Sequence, residues 1–320
     1  MARIKHLFSL LTICFSVSAL ADIQRLQPPN WWVGMQNPNV QIMVYGNGLA
    51  AFEISTDYPG VTIEKAYALE NQNYLYINLA VSEQAQAGDV ALHFSKNGQI
   101  EFTHSWPLLT RSADSRHRQG FNASDVIYLI TPDRFANGDP NNDEVAHLTE
   151  GLGVGAPYDR RGGDLMGITQ NLDYLSGLGI TQIWLNPVQE NNQPESSYHG
   201  YSVTDLYTID DRLGGNQAFL ELTTKARQRG IGVIMDTIPN HIGSEHWWMK
   251  DLPTRDWVNH GGTFSETSHR REVLYDPHAA QVDVSEHADG WFVKTMPDLN
   301  QHVEELAIYL IQNNIWWVEA

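Results

Sequence analysis

Residues 230–241 read GIGVIMDTIPNH. From Ile231 to Met235 the stretch is apolar apart from Gly232. A run that short and that apolar predicts a buried strand of a parallel sheet, and Gly230 before it can stop a helix. Asp236, Asn240 and His241 follow at the carboxyl end of that strand, the edge where parallel α/β sheets bind ligands and place their chemistry. Taken alone, the same residues also describe a strand and a plain turn, with Asp236 capping a loop and Pro239-Asn240 turning the chain. The flanking sequence decides between the two.

Upstream, Val126 to Ile130 is a second buried-strand run, and Thr181 to Leu185, closed by Asn186-Pro187, is a third. Between them a helix is expected from about Ile168 to Leu178, with Ile168, Leu172, Leu175 and Leu178 on one face and Gly179 as its stop. Asn216 is expected to cap a further helix ending at Gly230. The order is β-α-β-α-β, and right-handed crossovers make that a parallel sheet with helices outside. Downstream, 240–297 is a long Trp- and His-rich excursion, followed by a helix over Gln301 to Gln312 that turns Val303, Leu306, Leu310 and Ile311 inward. A (β/α)8 barrel takes about 250 residues. Residues 121–320 have room for only about the first three β/α units beside the excursion, so the chain reads as the front part of a larger protein.

From 22 to 109 the pattern changes to short alternating runs. Gln41–Tyr45, Val61–Leu69, Tyr74–Val81, Val90–Phe94 and Ile100–Trp106 read as strands, broken by turns such as Pro59-Gly60 and Asn97-Gly98. That spacing predicts an immunoglobulin-like β-sandwich. Trp31-Trp32 is either a sugar platform or a buried plug of the sandwich. Residues 110–120 are polar, basic and without period, the mark of a linker.

Residues 1–21 have the form of a secretory signal peptide: a basic start at Arg3 and Lys5, an apolar stretch from Leu7, and Ala19-Leu20-Ala21 as the cleavage form. The expected compartment is periplasmic or secreted. The single cysteine, Cys14, lies in that leader, so the mature chain is expected to form no disulfide. The net charge is −18, from 20 basic and 38 acidic residues. Such a chain repels nucleic acid and anionic membrane surfaces, and it suits a neutral substrate or a bound cation. Ten tryptophans supply flat faces for sugar C–H surfaces or for a core.

Taken in order, the motifs resemble the α-amylase family of glycoside hydrolases, family 13, in its cyclomaltodextrinase/neopullulanase branch. DVIYLITPDRFANGDPNND is similar to the first barrel strand and its loop, RGGDLMGITQNLDYLSGLGITQIWLNPV to the first helix and second strand, and DTIPNH to the first signature region. YHGYSVTDLY, MPDLN, HWWMKDLP and DGWF fit the same branch, and PPNWWVGM and DYPGV resemble its extra N-terminal domain. The resemblance runs from about Asp22 to Ala320.

The resemblance implies a retaining enzyme that cleaves α-1,4-glucosidic bonds of cyclodextrins, maltodextrins or pullulan with an Asp nucleophile, a Glu acid/base and a third acid. None of these three is in the chain; they are expected beyond Ala320, and Glu319 is read as the approach to a fourth strand. The 320-residue chain itself is expected to be inactive. It implies substrate-binding roles for His199, Tyr201, Asp236 and His241: Tyr201 stacking on a glucose, His199 donating to it, His241 bonding it, and Asp236 organising the centre. It also favours a structural calcium ion on Asn137, Asp139, Asn142, Asp143, Gly162 and Asp164, where hard oxygens crowd a Gly/Pro loop; an Asn/Asp-rich turn without metal is the other reading. Homodimerisation through the N-terminal domain is a further expectation. A non-catalytic α-glucan-binding protein and a transglycosylase of the same superfamily are the alternative functions.

Overall fold

The computed structural model describes residues 22–320. The leader and Cys14 lie outside the described residues.

The N-terminal part is a two-sheet sandwich. One sheet has the order β1-β3-β6-β5 and the other β2-β8-β7-β4, with β1 Ile23–Gln27, β2 Trp31–Trp32, β3 Asn39–Gly46, β4 Glu53–Ser55, β5 Val61–Tyr67, β6 Tyr74–Val81, β7 Gly88–Lys96 and β8 Gln99–Leu109. The five alternating runs correspond to β3, β5, β6, β7 and β8. β1, β2 and β4 are too short or too irregular in pattern to stand out. Trp31 and Trp32 are 3 % and 4 % exposed, which makes them the plug rather than a sugar platform.

The second part begins with three parallel strands in the order β9-β10-β13, where β9 is Ile127–Ile130, β10 Gln182–Leu185 and β13 Gly232–Met235. Met235 lies level with Leu185, and Leu185 with Ile130, so all three strands end at one edge. A short helix α1 (Pro132–Phe135) follows β9. The expected helix over 168–178 is two helices, α2 (Leu165–Gln170) and α3 (Leu172–Gly177). It starts earlier than its apolar face suggests because Asp164 caps it, accepting from Gly167 N at 2.6 Å. It breaks at Asn171, whose amide bonds the Gly167 carbonyl at 2.8 Å.

After β10 comes a small antiparallel pair, β11 (Gln189–Glu190) and β12 (Asp205–Ile209). Helix α4 (Gly215–Arg227) then leads to β13. Asn216 is not its cap: its side chain accepts from Ile209 N at 2.7 Å, and left-handed Gly214 opens the helix. β13 is only half-buried along its length, and Ile127, Tyr128, Leu129 and Trp184 are exposed. Among the described residues no strand pairs with the free side of β13.

The excursion after β13 leaves and returns through one neck, where His241 bridges to Asp298 and Val258 to Leu299. Its one longer helix is α5 (Gln281–Ala288). Helix α6 spans Glu304–Glu319, seven residues beyond its expected end at Gln312, and Glu319 is helical rather than an approach to a strand. The cause is tertiary. Gln312 exchanges two hydrogen bonds with the Gln41 backbone, at 2.8 and 2.7 Å, and the Asn313 amide and Trp317 indole both donate to the Leu206 carbonyl at 2.8 Å. Polar residues that look like a helix end are therefore buried between sandwich and barrel. Tyr309 donates to Gln27 and Tyr67 donates to Glu305, which fixes the same docking. The stretch after β8 is clamped rather than free: Arg111 donates to both oxygens of Glu319, at 2.6 and 3.1 Å, and Ser115 Oγ reaches the same carboxylate.

Candidate active-site floor

His199, Tyr201, Asp236 and His241 come together at the carboxyl edge of β10 and β13. The turn Ser197–His199 is held from below by Glu150, which accepts from the Ser196 and Ser197 amides at 3.0 and 2.6 Å, and by Asn191, which donates to the Ser197 carbonyl. Gly200 sits at φ +82, and a Cβ there would lie 2.0 Å from the Pro187 carbonyl oxygen. Only glycine lets the loop press this closely on the segment that follows β10.

Tyr201 is the hub. Its hydroxyl donates to Asp236 Oδ2 at 3.0 Å, its amide donates to His199 Nδ1 at 2.9 Å, and its carbonyl lies 3.0 Å from His241 Nε2. These contacts set the tautomers. His199 accepts at Nδ1 and so carries its proton on Nε2; His241 donates from Nε2 and leaves Nδ1 facing the Asn240 amide at 3.3 Å. Burial pushes both imidazoles below the ordinary histidine range, and the Tyr201 carbonyl (for His241) and Glu150 (for His199) offset it only in part. Burial and the Asp236 carboxylate hold the Tyr201 phenol in its neutral form. The result is a neutral set of hydrogen-bonding groups around an aromatic ring, with one carboxylate.

Phe292, the last residue of the DGWF motif, adds a wall to which the sequence analysis gave no role. It lies in the excursion, half-exposed, with its ring nearly parallel to His241 at 6.5 Å and edge-on to His269 at 5.3 Å. No periodicity marks a residue in so irregular a segment. Glu150 was also missed, since a lone acid in a loop carries no local signal.

The loop after α1 brings some of the candidate metal ligands together and occupies others. Asn142 Oδ1 is buried without a hydrogen-bond partner, Asn137 Nδ2 lies 2.8 Å from Asp143 Oδ1, and a Cβ on Gly162 would fall 2.5 Å from that Asp143 oxygen. Asn137, Asn142, Asp143 and Gly162 thus form a tight oxygen-bearing cradle. Asp164 is otherwise engaged: it accepts from Gly138 N, Asp139 N, Gly167 N and the Asn142 amide, at 2.6 to 3.1 Å. Asp139 accepts from Asn141 in a local turn. A metal at Asp164 would have to displace one of these donors, whereas both bonds to Asp139 fall on Oδ1 and leave its Oδ2 without a donor. Among the described residues no three His, Cys, Asp or Glu side chains cluster as a metal site.

The α-amylase catalytic-domain family model matches residues 129–320, and the cyclomaltodextrinase N-terminal model matches 25–112. The chain belongs to the α-amylase family. Its relatives include a cyclomaltodextrinase from Geobacillus thermopakistaniensis, 32 % identical over 60 % of this chain and 31 % of that protein. Neopullulanase 2 from Thermoactinomyces vulgaris is 31 % identical over 61 % of this chain and 32 % of that protein. Among solved structures, an Anoxybacillus α-amylase aligns at a TM-score of 0.50 and 34 % identity, over 61 % of this chain and 38 % of that one. The chain therefore spans about a third of the length of these relatives. Family membership gives the architecture: an immunoglobulin-like sandwich followed by the first β/α units of a glycoside-hydrolase barrel, within the cyclomaltodextrinase/neopullulanase branch.

Proposed function

We propose that this chain supplies the N-terminal sandwich and half of the glucan-binding floor of a retaining α-glucosidic hydrolase acting on cyclodextrins, maltodextrins or pullulan. The observation that carries this is Tyr201 bonded at once to His199, His241 and Asp236. A ring flanked by neutral imidazoles suits an uncharged polyol, since the ring covers a sugar C–H face and the imidazoles meet its hydroxyls. His199 offers its Nε2 proton directly. His241 would give its Nε2 proton to a glucose hydroxyl in exchange for the Tyr201 carbonyl.

The bond-breaking acids, an Asp nucleophile and a Glu acid/base, belong in this reading to sequence beyond Ala320. A structural calcium ion is part of the same proposal. Asn137, Asn142, Asp143 and the Gly162 carbonyl would hold it, with the unpartnered Asn142 oxygen as the supporting observation. Calcium there would rigidify the loop and take no part in the chemistry. Export to the periplasm or medium and pairing of two copies through the sandwich complete the reading.

Titration calorimetry with maltotetraose and with β-linked cellotetraose tests the binding half. Binding of the first only, lost in Tyr201→Ala, is the expected result; equal binding of both, or of neither, overturns it. Reading the coding sequence past Ala320 tests the catalytic half, which requires a Gly-x-Arg-x-Asp within about ten residues. Without the acids, a glucan-binding protein remains. Product analysis of the complete enzyme on cyclodextrin then separates hydrolysis from glycosyl transfer.

A further inference from the structure

His199 is held at Nδ1 by the Tyr201 amide, but that single bond leaves the ring free to tilt about it. Two rings support it further: Tyr201, tilted 35° to the imidazole at 5.9 Å, and, closer, Tyr198 from the side. The ring of Tyr198 meets His199 edge-on, with centroids 5.4 Å apart and planes at 73°. Among the described residues no hydrogen bond reaches the Tyr198 hydroxyl, so its own ring needs another anchor. The guanidinium carbon of Arg134 lies 4.0 Å from the Tyr198 ring centroid and supplies it.

Arg134 is fixed on its far side. Its Nε is 3.1 Å from Asp133 Oδ2, and its Nη2 donates to the Pro157 carbonyl at 3.1 Å. Asp133 is buried and accepts from the Arg161 and Gly162 amides, at 2.9 to 3.2 Å. An arginine tethered at two edges presents a flat cationic face whose plane is set before any ligand arrives. We propose that Arg134 is a positioning residue for the sugar site, orienting His199 through the Tyr198 ring. This rests on the glucan-binding reading of His199 above. The competing account is that Arg134 only pairs with Asp133 and that its contact with Tyr198 is incidental. The two differ on lysine, which can keep the ion pair but has no planar face.

The test uses the whole chain with 15N-labelled histidine, comparing Arg134→Ala, Arg134→Lys, Tyr198→Leu and Tyr198→Phe. The His199 ring signals are assigned from a His199→Gln variant. Two readouts are taken at one pH: the His199 ring nitrogen shifts and the maltotetraose Kd. Expected are displaced His199 signals and a Kd raised about fivefold to tenfold in both Arg134→Ala and Tyr198→Leu, with the double variant little worse than either. Tyr198→Phe should match the wild type, and Arg134→Lys should fold as well as the wild type while keeping the displaced signal. An unmoved His199 signal in folded Arg134→Ala, or full recovery of signal and Kd in Arg134→Lys, overturns the proposal. If the wild type binds no maltotetraose, the glucan reading fails by itself, and the ring signals still decide the role of Arg134.

Discussion

The Tyr201 hydroxyl donates to Asp236 Oδ2 at 3.0 Å, tying the loop after Gly200 to the residue that ends β13. Ring and hydroxyl should separate on mutation. Tyr201→Phe keeps the aromatic face and loses one hydrogen bond, about 1 kcal/mol or fivefold in maltotetraose affinity. Tyr201→Ala loses the face as well and should cost tenfold or more. Calorimetry of both variants checks this, and wild-type affinity in Tyr201→Ala would remove Tyr201 from the sugar site.

Acidification should weaken the fold by way of its buried histidines. His199, His241 and the fully buried His246 are all pushed below the ordinary range by burial, with the Arg25 charge adding to the effect at His246. The unfolded chain takes up these protons near pH 6.5 and the folded chain only at lower pH. Stability is thus full above about pH 6.5 and falls below it, by up to about 1.4 kcal/mol per pH unit for each histidine, until the folded-state value is reached. Asp298 runs the other way. Burial lifts it to about 6 against hydrogen bonds from Asn259 and Asn240, so its contribution is present at low pH and lost as pH rises through 6. His104 joins the histidine side, and Asp133 and Glu190, also raised by burial, join the Asp298 side. With Asp298 at about 6, the histidines act first as pH falls, and urea midpoints measured from pH 7.5 to 6 should fall. His246→Phe should flatten the slope.

Glu319 is buried, and its carboxylate is shared by Arg111 and Ser115. Burial raises its pKa, yet those hydrogen bonds more than compensate and leave it below the usual carboxylate range. Arg111→Ala strands the charge and should cost about 2–4 kcal/mol. Arg111→Ala with Glu319→Gln should recover much of that. Urea unfolding of the single and double variants measures it, and a single variant as stable as the wild type would mean the clamp contributes nothing.

The two kinds of loop carboxylate and amide should answer calcium differently. Asn142→Ala should abolish the rise in Tm on adding calcium, and it should lower the Tm in both buffers by the hydrogen bond its amide gives Asp164. Asp164→Ala removes a helix cap and should cost about 1–2 kcal/mol with calcium or with chelator alike. Differential scanning calorimetry in both buffers separates them. A calcium response that survives in Asn142→Ala places the ion elsewhere.

What the sequence made legible were features set by local pattern. β9, β10 and β13 follow from short apolar runs, whereas His199, Tyr201, Asp236 and His241 are singled out by the resemblance of their motifs to the family. What it hid was set by distant partners. Nothing near Gln312, Asn313 or Glu319 shows that Gln41, Leu206 and Arg111 will satisfy them, so α6 read as ending early. Asn216 looked like a cap because its true partner, the Ile209 amide, lies before the turn. Phe292 reaches His241 across an irregular excursion, where neither a period of two nor of 3.6 applies.

The docking of α6 has a consequence in time as well as in space. Each partner named above for it (Gln27, Gln41, Tyr67, Arg111, Ser115, Leu206) precedes it in the chain. When the ribosome releases Glu319, the whole surface that receives this helix has already been synthesised. The sandwich can therefore act as a scaffold on which the β/α units are held in order during translation.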